Sequence, residues 1–338
     1  MGHPDHRCDT EMNQIADLNL ASVIDASHRI SRIVVETPLK PSFELSRRTG
    51  GQVFLKMENM QDTGSFKIRG AANAILSARD RANIDGVVAV SSGNHGKAVA
   101  YVAKRLGMAA VICMTELVPK DKIQGIRDLG AEVVIHGKDQ NEAVDAALQV
   151  SNERRLEYVP PFDDPLVIAA QGTVGLEMLQ QQPKLDLLIV PVSGGGLLSG
   201  VALAARAIKP DIKIIGVTSH RDAALYESIR AGKVVVVGER PSIADALPGP
   251  IPLDNKYTFE MCRDLVDEIV PIPEEGIAAA MRYCLDYEKV VLEGAGAASI
   301  AYVLESNDLS GKKIAAVCSG SNISKERLAA IFEQFGLS

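Results

Sequence analysis

Short runs of apolar, mostly β-branched residues alternate along this chain with stretches whose apolar residues recur every three or four positions. Residues 86–90 (Gly-Val-Val-Ala-Val) read as a strand, and 97–106 as a helix with Ala98, Ala100, Val102 and Ala103 on its apolar side. The next strand covers 109–114. Pro119 then opens a helix at a position that suits a residue without an N–H, and Gly130 ends it. A third strand spans 131–136, a helix 141–152, and a short fourth strand 158–160. A second series follows, with a strand over 185–192, a helix over 197–208 and strands over 213–218 and 313–318. The apolar run 234–237 is short enough to be a buried strand. No internal repeat or low-complexity segment interrupts this alternation.

Strands alternating with helices imply an α/β fold of parallel sheets wrapped by helices. Continuously apolar strands imply sheets covered on both faces. The expected organisation is a smaller domain over 83–163 and a larger one built from 19–82 plus 164–338, preceded by an extension over 1–18. A ligand is then expected between the two domains, beyond the carboxyl ends of the strands.

Composition narrows the function classes. Of 338 residues, 46% are hydrophobic and 23% charged, as in a soluble globular protein with a substantial core. The net charge of −7 disfavours a nucleic-acid-binding surface. No apolar run approaches the roughly 18 residues needed to span a bilayer. The polar start, residues 1–10, lacks the apolar stretch of a signal peptide. The five cysteines, Cys8, Cys113, Cys262, Cys284 and Cys318, are widely spaced without a C-x-x-C, against a disulfide framework or zinc site. A reducing cytoplasm is the expected compartment, with Cys113 and Cys318 as buried, inert thiols. His3, His6 and Cys8 are read as part of a polar tail rather than as metal ligands.

Candidate chemistry lies in four segments. Ser193-Gly194-Gly195-Gly196-Leu197-Leu198-Ser199-Gly200 joins a predicted strand to a predicted helix. Glycines let the backbone approach an anion closely, and the helix start supplies N–H groups and a favourable dipole. A dinucleotide site would need G-x-G-x-x-G and an acid ending the next strand. Here the glycine spacing differs and the next strand ends at Gly216-Val217-Thr218, so the loop suits a single phosphate. Lys67, in Gly64-Ser65-Phe66-Lys67-Ile68-Arg69-Gly70, would ordinarily be a surface lysine at a helix start. Beside apolar Phe66, with Ser65 as a possible N-cap, its amine can lose its proton and attack an aldehyde. Ser91-Ser92-Gly93-Asn94-His95-Gly96 is either a capped turn or a carboxylate cradle. Cys318-Ser319-Gly320-Ser321-Asn322 is either a polar turn or a further part of a site.

Taken in order, these segments resemble the fold-type II enzymes that use pyridoxal 5'-phosphate (PLP), and among them the serine/threonine dehydratase and serine racemase family. The similarity runs from Thr37-Pro38-Leu39 to Asn322 and includes Ala169-Ala170-Gln171-Gly172-Thr173. The resemblance implies two parallel-rich open sheets with flanking helices, PLP as cofactor, a small amino-acid substrate and a homodimer. It makes Lys67 the Schiff-base lysine, Phe66 a neighbour of the cofactor ring, and Asn94 the partner of the phenolic oxygen. Ser193, Gly194, Gly195, Gly196 and Leu197 would hold the phosphate, and Ser319 would face the pyridine nitrogen. Ser91, Ser92, Asn94 and His95 would surround the substrate, with Ser92 a second catalytic candidate beside Lys67. Glu293 matches a family acid near the cofactor, followed here by glycine instead of the usual proline.

The implied reaction is loss of water from a 3-hydroxy amino acid, with the freed Lys67 amine removing the Cα proton. A serine at the ring nitrogen, in place of an aspartate, favours elimination over transamination. Racemisation by Lys67 and Ser92 on opposite faces is the alternative. A reading of another class is a non-catalytic phosphate-ligand-binding protein. This chain also departs from the family pattern. In Thr218-Ser219-His220-Arg221-Asp222-Ala223-Ala224, two acidic positions of metal-activated members have become Thr218 and Ala224. Hard cations need oxygen ligands, so no metal site is expected, and Asp222 and Asp267 read as single solvated acids. Ala246 replaces a glycine near the pocket. With the unusual stretch 248–259, these changes resemble the dehydratase branch associated with hydroxyectoine breakdown, which implies a β-hydroxylated diamino acid derivative. Threonine, serine and 3-hydroxyaspartate remain as substrates of the broader family.

Overall fold

The computed structural model describes residues 18–81, 84–238 and 240–337. The expected extension, apart from Leu18, lies outside the described residues, as do His3, His6, Cys8 and the expected domain boundary at 82 and 83.

Two sheets organise the chain. The larger has the order β1 (Leu39–Ser42), β2 (Gln52–Lys56), β10 (Lys313–Val317), β7 (Leu187–Pro191), β8 (Lys213–Ser219) and β9 (Glu268–Ile272). Only the β1–β2 pair is antiparallel. The smaller sheet is parallel throughout, in the order β5 (Glu132–Ile135), β4 (Ala109–Met114), β3 (Gly86–Val90) and β6 (Leu156–Tyr158).

The helices are α1 (Leu20–Ile30), α2 (Phe43–Thr49), α3 (Lys67–Arg81), α4 (Asn94–Leu106), α5 (Lys120–Asp128), α6 (Gln140–Arg154) and α7 (Pro165–Gln181). They continue with α8 (Gly196–Ile208), α9 (Ala224–Ala231), α10 (Thr258–Leu265), α11 (Glu274–Tyr283), α12 (Gly294–Glu305) and α13 (Lys325–Gln334). A 3-10 turn covers Glu58–Met60 and a π-turn Cys284–Glu288.

Period-two alternation explains why the strands read as unbroken apolar runs. Leu187 and Ile189 of β7 pack with Ile277 and Ala298 of α11 and α12. Leu188 and Val190 face the other way, onto Val174, Leu198 and Val201 of α7 and α8. The small sheet repeats the device. Val87 and Ala89 meet α3 and α4, while Val88 and Val90 meet Ala143 and Ala147 of α6. A parallel sheet buried on both faces leaves no strand face for polar residues. Chemistry is therefore displaced to the loops at the strand ends.

Several expectations change. The fourth strand of the small sheet is Leu156–Tyr158, two residues earlier than 158–160, because its register on β3 places Leu156 opposite Gly86. Residues 234–237 form no strand, and Val236 is 76% exposed. This valine-rich run has no neighbouring strand to complete its hydrogen bonds, so its composition alone does not make it part of a sheet. Cys113 and Cys318 are buried, and burial pushes their thiols up to about 11 and about 12, as expected of inert cysteines. Among the described residues, no helix is long and apolar enough to cross a membrane.

Candidate active site

Three of the four singled-out segments follow the carboxyl ends of parallel strands. The serine-rich turn follows β3, the glycine loop β7, and Cys318–Asn322 β10. The fourth, carrying Lys67, is hydrogen-bonded onto the last of these. Phe66 N–H donates to Ser319 O at 3.1 Å, Ser321 N–H donates to Gly64 O at 2.9 Å, and Ser65 pairs with Gly320 in an isolated antiparallel bridge. Gly64 has φ +73°, and an added methyl would meet Asn322 Oδ1 at 2.8 Å. Glycine is needed there both for its backbone conformation and for the close approach.

Lys67 is the first residue of α3. The residue is half-buried, and its amino end is enclosed by protein. Nζ donates to Pro161 O at 2.7 Å and lies 5.5 Å from the centre of the Phe66 ring. Burial lowers its pKa from 10.5 to about 8, with no charged neighbour offsetting that effect. Desolvation of an unpaired ammonium has this consequence. The expected N-cap is not made: Ser65 Oγ is buried without a hydrogen-bond partner, because the bridge to Gly320 holds residue 65 in the sheet-like turn.

The opposite side of the first turn of α3 is anchored by Arg69. Its guanidinium binds Glu58 through Nε (2.8 Å) and Nη2 (2.7 Å), and Glu177 through Nη1 (2.5 Å) and Nη2 (2.8 Å). Lys56 Nζ completes the group at 2.5 Å from Glu177 and 2.6 Å from Thr37 O. Two cations and two carboxylates therefore balance inside the protein, with Arg69, Glu58 and Lys56 all at or below 1% exposed. Burial pushes Glu58 up and Arg69 down, but their attraction prevails, leaving the acid low and the guanidinium high. This ionic group was not foreseen from the sequence. The motif contains Arg69, but its partners come from positions 58, 173 and 177 and meet only in the fold.

The glycine loop has the form of an anion cradle. Gly195 has φ +93° and caps α8 without a side chain, so the first N–H groups of that helix have no side-chain acceptor. A methyl on Gly194 would stand 2.6 Å from the Phe162 ring, and one on Gly196 would stand 3.0 Å from Phe162 backbone. Ser193 is half-buried at the mouth of the loop and Leu197 is buried in the first turn of α8. Phe162 covers this loop without having been singled out beforehand.

The serine turn enters α4 through Gly93, which offers no capping side chain. Ser91 Oγ accepts from Gly93 N–H at 3.1 Å, and Ser91 and Ser92 are both half-buried. Asn94 Nδ2 donates to Glu293 Oε1 at 2.7 Å, and Asn94 Oδ1 accepts from Asn322 Nδ2 at 2.6 Å. Lys97 Nζ donates to Asn322 Oδ1 at 2.7 Å. This chain of contacts joins the ends of both sheets. Burial pushes the Glu293 carboxyl up to about 7 against the hydrogen bond from Asn94. His95, expected beside the substrate, is buried, with Nε2 2.9 Å from Val159 O. A carbonyl only accepts, so Nε2 carries the hydrogen. Burial and the nearby Lys67 charge lower the ring's pKa to about 3, keeping it neutral. Ser319 Oγ is buried, 3.4 Å from Ala295 O.

Asp222 and Asp267 are not solvated single acids. Asp222 accepts from Arg240 N–H at 2.7 Å and from its guanidinium at 3.0 Å. Asp267 accepts from Ile214 N–H and Arg206 Nη2, both at 2.7 Å. These partners lie far apart in sequence, which is why local reading missed them. Thr218 and Ala224 are buried.

The residues present fit PLP. An amine without a counter-ion, a side-chain-free cradle at a helix start and a nearby amide–carboxyl pair meet at one place. A scan against family models matches residues 30–320 to "Pyridoxal-phosphate dependent enzyme". The chain is 47% identical to a putative threonine dehydratase of Sinorhizobium fredii, covering 92% of this chain and 94% of that one. It is 43% identical to an L-threonine ammonia-lyase of Thermotoga maritima, covering 90% of this chain and 76% of that one. The structure of maize serine racemase superposes with a TM-score of 0.86 at 34% identity, covering 94% and 98% of the two chains. The protein thus belongs to the pyridoxal-phosphate dependent enzymes, in the fold-type II family of threonine/serine dehydratases and serine racemases.

Proposed function

We propose that this protein eliminates water from a small 3-hydroxy amino acid, and that hydrolysis of the resulting enamine, which takes one water back, gives a keto acid and ammonia. The carrying observation is the Lys67 amine, buried without a counter-ion, so that about half of it is unprotonated near pH 8. Ser193 to Leu197 would hold the cofactor phosphate, Lys67 its aldehyde carbon, Asn94 its phenolic oxygen and Ser319 its ring nitrogen, with Phe66 against the ring. Bound PLP supplies a sink for the electron pair left when a Cα proton is removed. Lys67 takes that proton as general base, because an amine with a pKa near the working pH both accepts and returns protons readily. The hydroxyls of Ser91 and Ser92 and the main-chain N–H of Ser92 would hold the substrate carboxylate, the Ser91 N–H being donated to Cys113 O. His95 supports this turn from behind through its bond to Val159.

The relatives named above support elimination from threonine. The finer reading is a β-hydroxylated diamino acid, as in the hydroxyectoine-associated branch. It is supported by Thr218, Ala224 and Ala246 and by the unusual stretch 248–259. Racemisation, the second reading, draws on the likeness to maize serine racemase and on Ser92 as a second proton carrier. The test is a panel of threonine, serine, 3-hydroxyaspartate and a β-hydroxylated diamino acid. Each is scored for keto-acid and ammonia release and for exchange of enantiomers. Keto-acid release dominates under this proposal; enantiomer exchange without keto acid would overturn it.

A further inference from the structure

Residues 160–165 lead from the small sheet to α7, and successive residues there engage different parts of the site. Pro161 O accepts from Lys67 Nζ at 2.7 Å. Phe162 lies on the glycine loop. Asp164 caps α7, accepting from Leu166 N–H at 2.9 Å and Val167 N–H at 3.0 Å. Between them, Asp163 reaches away to another segment. Its Oδ2 accepts from Lys256 N–H at 2.7 Å, and its Oδ1 from Tyr257 N–H at 3.0 Å and Thr258 N–H at 2.9 Å. Thr258 begins α10, and its Cβ stands 2.8 Å from where a side chain on Gly195 would start. The segment that Asp163 grips is therefore the one that backs the phosphate cradle.

A carboxylate accepting three main-chain N–H groups is a strong tether, and nothing in the chemistry above uses it. It fixes residue 163 against the start of α10. Two residues earlier, the ring of Pro161 restricts its own φ, which leaves rotation about ψ as the motion that turns the Pro161 carbonyl, and the tether at residue 163 opposes it. That carbonyl accepts one N–H of Lys67. A free amine with one N–H held in this way has a restricted direction for its lone pair, the requirement for proton transfer from a fixed Cα.

We propose that Asp163 is a positioning residue for Lys67: by tethering residue 163 to the main chain of 256–258, it holds the Pro161 carbonyl as the partner of the Lys67 amine whenever that amine is free of the cofactor. This rests on the reading of Lys67 as the reacting amine. The test uses Asp163→Ala, Pro161→Gly and the double variant in the cofactor-loaded enzyme, and Asp163→Ala alone in the cofactor-free protein. Either single substitution lowers kcat at least tenfold with KM changed less than threefold. The double variant is no worse than the poorer single, because both act through one carbonyl.

In the cofactor-free protein, reductive methylation of Lys67 at pH 8, read by peptide mass spectrometry, slows in Asp163→Ala. An amine released toward water recovers a higher pKa, and a rise of one cuts the reactive fraction about fivefold. Unchanged labelling and kcat in Asp163→Ala, or strictly additive losses in the double variant, overturn the proposal. If Asp163→Ala does not fold, Asp163→Asn, which retains one acceptor oxygen, takes its place with smaller changes in the same direction. Full turnover by Lys67→Ala would instead overturn the underlying reading of the lysine.

Discussion

An ammonium buried without a counter-ion destabilises the protein that carries it, and Lys67 makes this measurable. Its pKa is about 8 against an ordinary 10.5. At about 1.36 kcal/mol per pH unit, the gap corresponds to about 3 kcal/mol. The sign follows from linkage. Between pH 8 and 10.5 the unfolded chain holds a proton that folded Lys67 has released, so stability rises with pH across that window. Below pH 8 the folded protein carries nearly the full penalty. Replacing Lys67 by methionine keeps an unbranched side chain of similar length and removes the charge.

The cofactor-free Lys67→Met protein should therefore be more stable than the parent by about 3 kcal/mol at pH 7, falling to about 1 kcal/mol at pH 10. Thermal and urea unfolding of both proteins at the two pH values would show it. Buried groups that also titrate in this range, such as Cys318 and Tyr283, are common to both and cancel in the difference. A difference in stability that does not change with pH would refute the reasoning, since it would mean that the Lys67 amine titrates as an ordinary solvated lysine. The cofactor-loaded parent should reverse the order, because the amine is then no longer an unpaired charge.

Other substitutions test other parts of the site. Gly194→Ala places a methyl 2.6 Å from the Phe162 ring and should weaken cofactor binding at least about tenfold, or about 1.4 kcal/mol, in a fluorescence titration. Between pH 4.5 and about 7, folded Glu293 holds a proton that the unfolded chain releases, so its contribution to stability declines as pH rises. Glu293→Gln should flatten that decline in unfolding curves. Arg69→Met strands Glu58 and Glu177 beside Lys56 alone and should cost about 3–5 kcal/mol of stability, while Arg69→Lys, lacking the planar fork, recovers only part of it. Ser92→Ala should suppress enantiomer exchange more than keto-acid release; equal loss of both would show that Ser92 has no face-specific role.

The amino-acid sequence by itself determined the alternation of strands and helices and the four segments that line the candidate site. Strands such as Gly86–Val90 and Ala109–Met114 are legible because a buried parallel strand is apolar on both faces. Lys67, Asn94 and Gly194 to Gly196 are legible because their signals are local: turn glycines, helix starts and a lysine beside an aromatic ring. Only the tertiary structure decided which groups surround them. Pro161 O on Lys67, Asp163 on residues 256–258, Glu58 and Glu177 on Arg69, and Arg240 on Asp222 all join positions separated by 11 to 108 residues. Nothing in the local pattern marks one acid as the partner of a given cation. Periodicity reports the local backbone, whereas protonation and charge pairing depend on what chain crossing brings within a few ångströms. For that reason the Val159 partner of His95 was not legible, and the valine-rich run at 234–237 found no sheet to join.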